Sequence, residues 1–329
     1  MLEEHRLHIK DIFPDLYPHL IRESEFDTFQ NIDFALRCIN LCLDICSSVS
    51  EKLDIKIYFA IKHDFSFNAK AIVKANTGIV LINVGLINKL ELIVGKSAEI
   101  FLHETVVQLT STPEEKSELE TLLSDLCLTY LVYHEIAHII QLTNLFSSET
   151  YNLEEEYSVD SLFNIKNHVY ELDADLFGVS MSAFTLLEHL NSRYPKNIIS
   201  LFNLLTSLLF SISNIIILFS VDKFETIYYK LHSHPHPLIR MIKCNDQILS
   251  FASKNIVMRK EFFITILQRT ISIIDQIEYS NKGKINYSKL YEYNMTEIES
   301  YIEEIEAENK SFSELTRFYA KEIFNALYN

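Results

Sequence analysis

Between residues 24 and 47 apolar side chains recur every three or four positions. Phe26, Phe29, Ile32, Leu36, Ile39 and Leu43 fall on one side of a 3.6-residue turn and predict a first helix. At Ile55 the period drops to two. Ile55, Ile57, Phe59 and Ile61 alternate with polar or small neighbours, the pattern of a strand with one buried face. A second run, Ala69 to Ala75, meets the turn signal Asn76-Thr77-Gly78, and the apolar segment IVLIN follows at 79–83. Residues 55–83 therefore predict a small antiparallel sheet. Beyond Gly85 the pattern is helical throughout. Pro113 followed by Glu114 and Glu115 opens a long helix running past His138, because proline suits a first turn and acids complement the helix dipole. Further helices are predicted over 159–192, 197–231 and 237–329, around the short break HSHPHP. The expected class is mostly α with a small antiparallel β-sheet, that is α+β.

Composition supports long helices with few connections. Only 5 glycines and 6 prolines occur in 329 residues, too few turn formers for a many-stranded sandwich or barrel. The balance of 29 basic against 45 acidic side chains argues against a nucleic-acid partner, which would need a basic face. Cys38, Cys42 and Cys46 fall at four-residue steps on one helix side and suit buried thiols. No CxxC pair or disulfide framework is present, and the acidic N-terminal stretch lacks the marks of a signal peptide. A cytoplasmic protein is expected.

Residues 198–221 carry no charge and are long enough to cross a bilayer. Yet Ser200, Asn203, Ser207, Ser211 and Asn214 form a continuous polar stripe, which favours a buried helix over a membrane span, the span being the alternative. Gly95-Lys96-Ser97 ends like a phosphate-binding loop, but Leu90 stands where its first glycine belongs. The acidic run from Glu297 to Glu308 reads as a solvated helix face.

The chemistry concentrates at His134-Glu135-Ile136-Ala137-His138, inside an apolar helical run. Histidines four apart share a helix face, so both imidazoles can reach one Zn²⁺, while Glu135 is placed to act as a base without ligating. With 12 histidines in the chain, random placement yields about 0.04 such motifs. A catalytic zinc needs a third protein ligand. Gln141 and Asn144 stand where a downstream-histidine pattern needs glycine and histidine, which leaves a carboxylate from a later helix. Glu171 lies 33 residues after His138, and Glu171 and Asp175 share a face that Asp173 does not. Glu171 is thus the candidate ligand and Asp175 the candidate to orient a ligand imidazole.

His-Glu-x-x-His followed by Glu-x-x-Ala-Asp resembles the gluzincin metallopeptidases of the HtpX and CAAX-prenyl-protease type. Two further segments agree: Phe67-Asn68-Ala69-Lys70-Ala71 with IVLIN and Val84-Gly85-Leu86, and Ser233-His234-Pro235 with Arg240. These motifs cover residues 67–240, about half the chain. The layout is also similar to the soluble phage-exclusion peptidases of the Lit type, suicide proteases that act on an elongation factor. The resemblance implies a zincin-like fold, its HExxH helix packed against a following helix that carries the third ligand. It implies one Zn²⁺ per chain on His134, His138 and Glu171, with Glu135 as proton carrier. It also implies His234 as an oxyanion donor supported by Asn68 and Arg240, with His232 and His236 as alternatives for that place. An extended peptide would bind along an edge strand, IVLIN or its partner.

The implied activity is that of a zinc-dependent endopeptidase on a protein substrate, with a translation factor the first suspect and antiviral defence the implied role. The alternatives are a membrane-associated quality-control protease of the HtpX type and a non-catalytic zinc-binding regulatory protein. The expected organisation is a metallopeptidase domain over 1–250 and a C-terminal helical extension over 251–329.

Overall fold

The computed structural model describes residues 1–53, 55–74, 76–104, 113–145, 150–154, 164–193, 198–219, 227, 232, 234–255, 260–280 and 285–312. In chain order the elements are α1 (Leu2–Ile12), α2 (Ile32–Lys52), β1 (Lys56–Lys62), β2 (Ala69–Lys74), β3 (Thr77–Asn83), α3 (Val84–Glu104) and α4 (Pro113–Leu145). Then come β4 (Thr150–Glu154), α5 (Ile165–Arg193), α6 (Ile198–Phe219), α7 (Pro237–Asn255), α8 (Lys260–Ser280), α9 (Tyr287–Tyr293) and α10 (Met295–Phe312). The class is α+β, mostly helical. The chain divides into two compact units, one built on Met1–Ile93 and Leu128–Glu156, the other on Val94–Cys127 and Tyr157–Ser311.

The first unit holds the sheet, in strand order β1-β3-β2-β4. It is mixed, not antiparallel as expected. β3 runs parallel to β1, with Lys56 opposite Thr77 and Lys62 opposite Asn83, and antiparallel to β2. The uninterrupted apolar run Ile79–Ile82 explains the order: a strand buried on both faces is best satisfied in the interior of the sheet. IVLIN is therefore not an edge. β2, its hairpin partner, is also interior, because β4 pairs with its other side. β4 itself corrects the expectation that only helix follows Gly85; five residues give too short a period to read.

Both faces of the sheet are covered. Ile9 and Phe13 of the N-terminal segment pack with Ala60, Ile72, Ile79 and Leu81. The other face carries Ile57, Phe59, Ile61, Ala71, Val80 and Ile82, all buried. Gly78 belongs to that second face and abuts α4. A Cβ there would fall 2.3 Å from Ile139 Cγ2, so only glycine lets the sheet approach the helix one residue after His138. Gly85 is equally constrained: its N–H donates to the Asp64 carbonyl at 2.9 Å, and a Cβ would lie 2.1 Å from the Phe65 carbonyl oxygen.

The free side of β1 is closed by other groups. Ile57 N–H donates to Ser50 Oγ at 3.1 Å and Phe59 N–H to His5 Nδ1 at 2.9 Å. Ile21 N–H donates to the Ile61 carbonyl at 2.9 Å. These bonds protect the edge from further strand addition. His5 must present a bare nitrogen to accept, and its burial holds its pKa below the ordinary value.

The helix boundaries also shift. The helix expected over 24–47 starts at Ile32, because the Asn31 side chain accepts from Phe34 N–H at 3.1 Å and caps it. Residues Glu23–Thr28 form short 3₁₀ turns instead. The three cysteines of α2 are buried along one stripe, as their spacing predicts. α1 is absent from the sequence reading, since only Leu2, Arg6 and Ile9 of its side chains are buried.

The second unit is helical. α5 packs on α6 and α7, and α6 packs on α8. The segment Leu201–Phe219 has the length and apolarity to cross a membrane, and 83% of it is buried within the protein. Its polar stripe finds protein partners. Asn214 Nδ2 donates to Ser97 Oγ at 3.4 Å, the Cys127 thiol approaches the Ser211 carbonyl at 3.4 Å, and Ser207 and Ser211 bond back along the helix. Of the helices expected over 197–231, α6 covers Ile198–Phe219, and 220–226 and 228–231 lie outside the described residues. The region 237–329 divides into α7, α8, α9 and α10, with 313–329 also outside them.

Candidate metal centre

α4 is apolar on all sides around residues 126–142, and such a helix is buried on all sides. His134, Glu135 and His138 are consequently 1%, 0% and 2% exposed. One turn apart, the two imidazoles stand edge to face with centroids 4.6 Å apart and Nε2 atoms 3.0 Å apart. Two ligands at bonds of about 2.0–2.1 Å in a tetrahedral shell sit roughly 3.3 Å apart, so this pair fits one small cation. The ring of Tyr130 lies against His134, with centroids 5.9 Å apart.

Gln141 settles the tautomer of His138. Its Oε1 is 2.8 Å from His138 Nδ1 and can only accept, so Nδ1 carries the proton and Nε2 keeps its lone pair. The sequence reading used Gln141 only to exclude a downstream-histidine pattern and missed this role, although its place three positions after His138 on the same helix face was a legible signal.

α5 brings up the carboxylates. His168, Glu171 and Asp175 recur at three- and four-residue steps and are all buried, whereas Asp173 is half-buried. His134, His138 and Glu171 each offer one ligand atom, and these atoms lie within 4.8 Å of one another. A buried set of two imidazoles and one carboxylate can hold a metal ion. The donor chemistry suits Zn²⁺, which takes nitrogen and carboxylate oxygen alike.

The three histidines of the HSHPHP break do three different things. His234 Nε2 lies 3.4 Å from Glu171 Oε1. His236 accepts the Leu238 N–H on Nδ1 at 3.1 Å, and its carbonyl accepts from Ile239, so it caps α7. His232 offers its carbonyl to His168 Nε2 at 2.8 Å. Burial holds His236 and His168 down to a pKa of about 4, which keeps both rings neutral near pH 7.

Arg240, on the first turns of α7, donates from Nε to Asp175 Oδ2 and from Nη2 to Asp175 Oδ1, both at 2.8 Å. Its Nη2 stays 3.8 Å from Glu171 Oε2. Glu171, Asp175, His234 and Arg240 thus form one linked set. Asn68 is buried just before β2, its carbonyl accepting from Asn83 N–H at 3.0 Å. Its side-chain oxygen is buried and has no hydrogen-bond partner among the described residues.

No protein-family model, curated protein or solved structure matches this chain.

Proposed function

We propose that this chain is a zinc-dependent endopeptidase of gluzincin build acting on a protein substrate, with α4 and α5 as its metal-bearing helix pair. The observation that carries the reading is the buried His134, His138 and Glu171 group with Glu135, itself 0% exposed, between the two histidines. A purely structural metal site has no use for a buried carboxylate beside its ligands. Zinc held by these residues would act as a Lewis acid and bring the pKa of coordinated water toward neutrality.

Glu135 is the group to take up a proton and later return it to the leaving amine. His234 is the donor to negative charge developing on the carbonyl oxygen, with Asn68 as a second polar contact for the peptide. Arg240 holds Asp175 and so keeps the Glu171 turn of α5 in place. An acidic chain favours approach of basic surfaces. By its resemblance to phage-exclusion peptidases, a translation factor is the first substrate to test, in a defence role within the cytoplasm.

The test compares bacteria expressing the wild type with bacteria expressing Glu135→Gln, with and without phage challenge, by proteomics of new protein N-termini. One or a few cleavage sites confined to the wild type are expected, alongside about one zinc per purified chain. Identical N-termini in both strains would remove proteolysis from the explanation, and zinc retained without any cleavage would favour a metal-stabilised binding protein.

A further inference from the structure

We propose that Tyr301 and His168 form a positioning pair that fixes the His232 carbonyl and through it the imidazole of His234. The inference deepens the function proposed above and rests on His234 serving that site.

The direction of each bond follows from the chemistry of its partners. The His232 carbonyl can only accept, so His168 Nε2, 2.8 Å away, must carry the proton. His168 Nδ1 is then a bare acceptor, and the Tyr301 hydroxyl next to it is the donor. Both side chains are 0% exposed, and the rings meet edge to face with centroids 5.8 Å apart. Tyrosine, histidine and carbonyl therefore form a one-way chain of donors with a single tautomer.

The chain acts on the segment that carries His234. His168 and Glu171 stand three apart on α5 and share a side of the helix. One of them grips the backbone at His232, and the other faces the His234 ring at Nε2, 3.4 Å away. Two residues further on, His236 locks the same segment to the first turn of α7. His234 is thus held from both sides in sequence, by a carbonyl before it and a helix cap after it. Tyr301 supplies the outer end of this brace from α10, 133 residues from His168 in sequence. Simple packing would be served equally well by phenylalanine, which fills the same space and makes no demand on the tautomer.

The experiment uses full-length protein with nitrogen-labelled histidine and reads the imidazole signals of His168 and His234 by NMR in the wild type, Tyr301→Phe, His168→Leu and His168→Gln. In the wild type the His168 signals should show the Nε2–H tautomer. Tyr301→Phe should shift the His168 Nδ1 signal and displace those of His234. His168→Gln, whose amide can still donate to the His232 carbonyl, should leave His234 near its wild-type position, whereas His168→Leu should not. On whichever substrate the wild type cleaves, Tyr301→Phe and His168→Leu should lower turnover roughly 10- to 100-fold with zinc content unchanged, the cost of slight misplacement of a reacting group. Unmoved His234 signals in folded Tyr301→Phe would overturn the proposal. So would equal effects of His168→Gln and His168→Leu. These signals read the brace without any cleavage assay, so a failure of the peptidase reading shows separately, as absent zinc or absent cleavage in the wild type.

Discussion

Arg240 closes on Asp175 as a two-point fork, with Nε and Nη2 each 2.8 Å from a different carboxylate oxygen and both side chains at most 1% exposed. A planar guanidinium matches a carboxylate in a way an ammonium cannot. The pair ties α7 to α5 at the turn next to Glu171. Its energetic weight lies in what is left when it is broken.

Arg240→Leu should cost about 3–5 kcal/mol of stability, because it strands a buried carboxylate without its counter-ion. The double variant Arg240→Leu with Asp175→Leu should recover much of that loss. Urea unfolding of the single and double variants measures both, and a double variant no more stable than the single would show that the fork is not the stabilising unit. Arg240→Lys should fall between, keeping the charge and losing one of the two bonds.

Gln141→Leu should weaken zinc binding about 10- to 100-fold, the usual effect of removing the group that orients a ligand imidazole. Gln141→Glu should preserve affinity, since it still accepts from His138 Nδ1. His134→Ala, His138→Ala and Glu171→Ala should lose most of the zinc, while Glu135→Gln and Asp173→Ala keep it. Competition with a chromophoric chelator gives the affinities. Full binding by Glu171→Ala would displace it as the third ligand.

His234→Ala and His236→Ala should fail in different ways. His234→Ala should retain zinc and slow turnover by about 10²–10³, the cost of one oxyanion donor. His236→Ala removes the acceptor for Leu238 N–H and should cost about 1 kcal/mol of stability. The reverse ranking in paired unfolding and cleavage assays would assign the two roles the other way round.

Acid should destabilise the fold through its buried neutral histidines. His168 and His236 are held down to about 4, against about 6.5 when unfolded. Between those values the unfolded chain binds more protons than the folded one, so stability present above pH 6.5 is lost as pH falls toward 4. His5 acts in the same direction. Urea midpoints from pH 7 to pH 4, with chelator present to remove any metal contribution, should fall steadily, and His168→Gln should flatten the slope. A midpoint independent of pH across this range would contradict the burial of these rings as neutral groups.

What the sequence determined by itself was whatever depends on neighbours a few residues apart. Helical spacing alone places His134 with His138 and Glu171 with Asp175, and lines up Cys38, Cys42 and Cys46 along a buried stripe. Alternation at Ile55, Ile57, Phe59 and Ile61 marks a strand, and the polar stripe from Asn203 to Asn214 marks a helix with protein on its polar side. These patterns are local because a helix or strand repeats within a few residues. Only the tertiary structure decided which strands are neighbours. Lys56 lies opposite Thr77 in a parallel pair, and β4 covers the far side of β2 from 76 residues downstream of Lys74. The separate duties of His232, His234 and His236 are likewise set by distant partners: His168 on α5, Glu171 on the same helix, and the first turn of α7. Tyr301 has no local signal at all, sitting in an acidic helix that reads as a solvated face. Such contacts join residues far apart in the chain, and their energy comes from burial and complementary donors that no window of sequence contains.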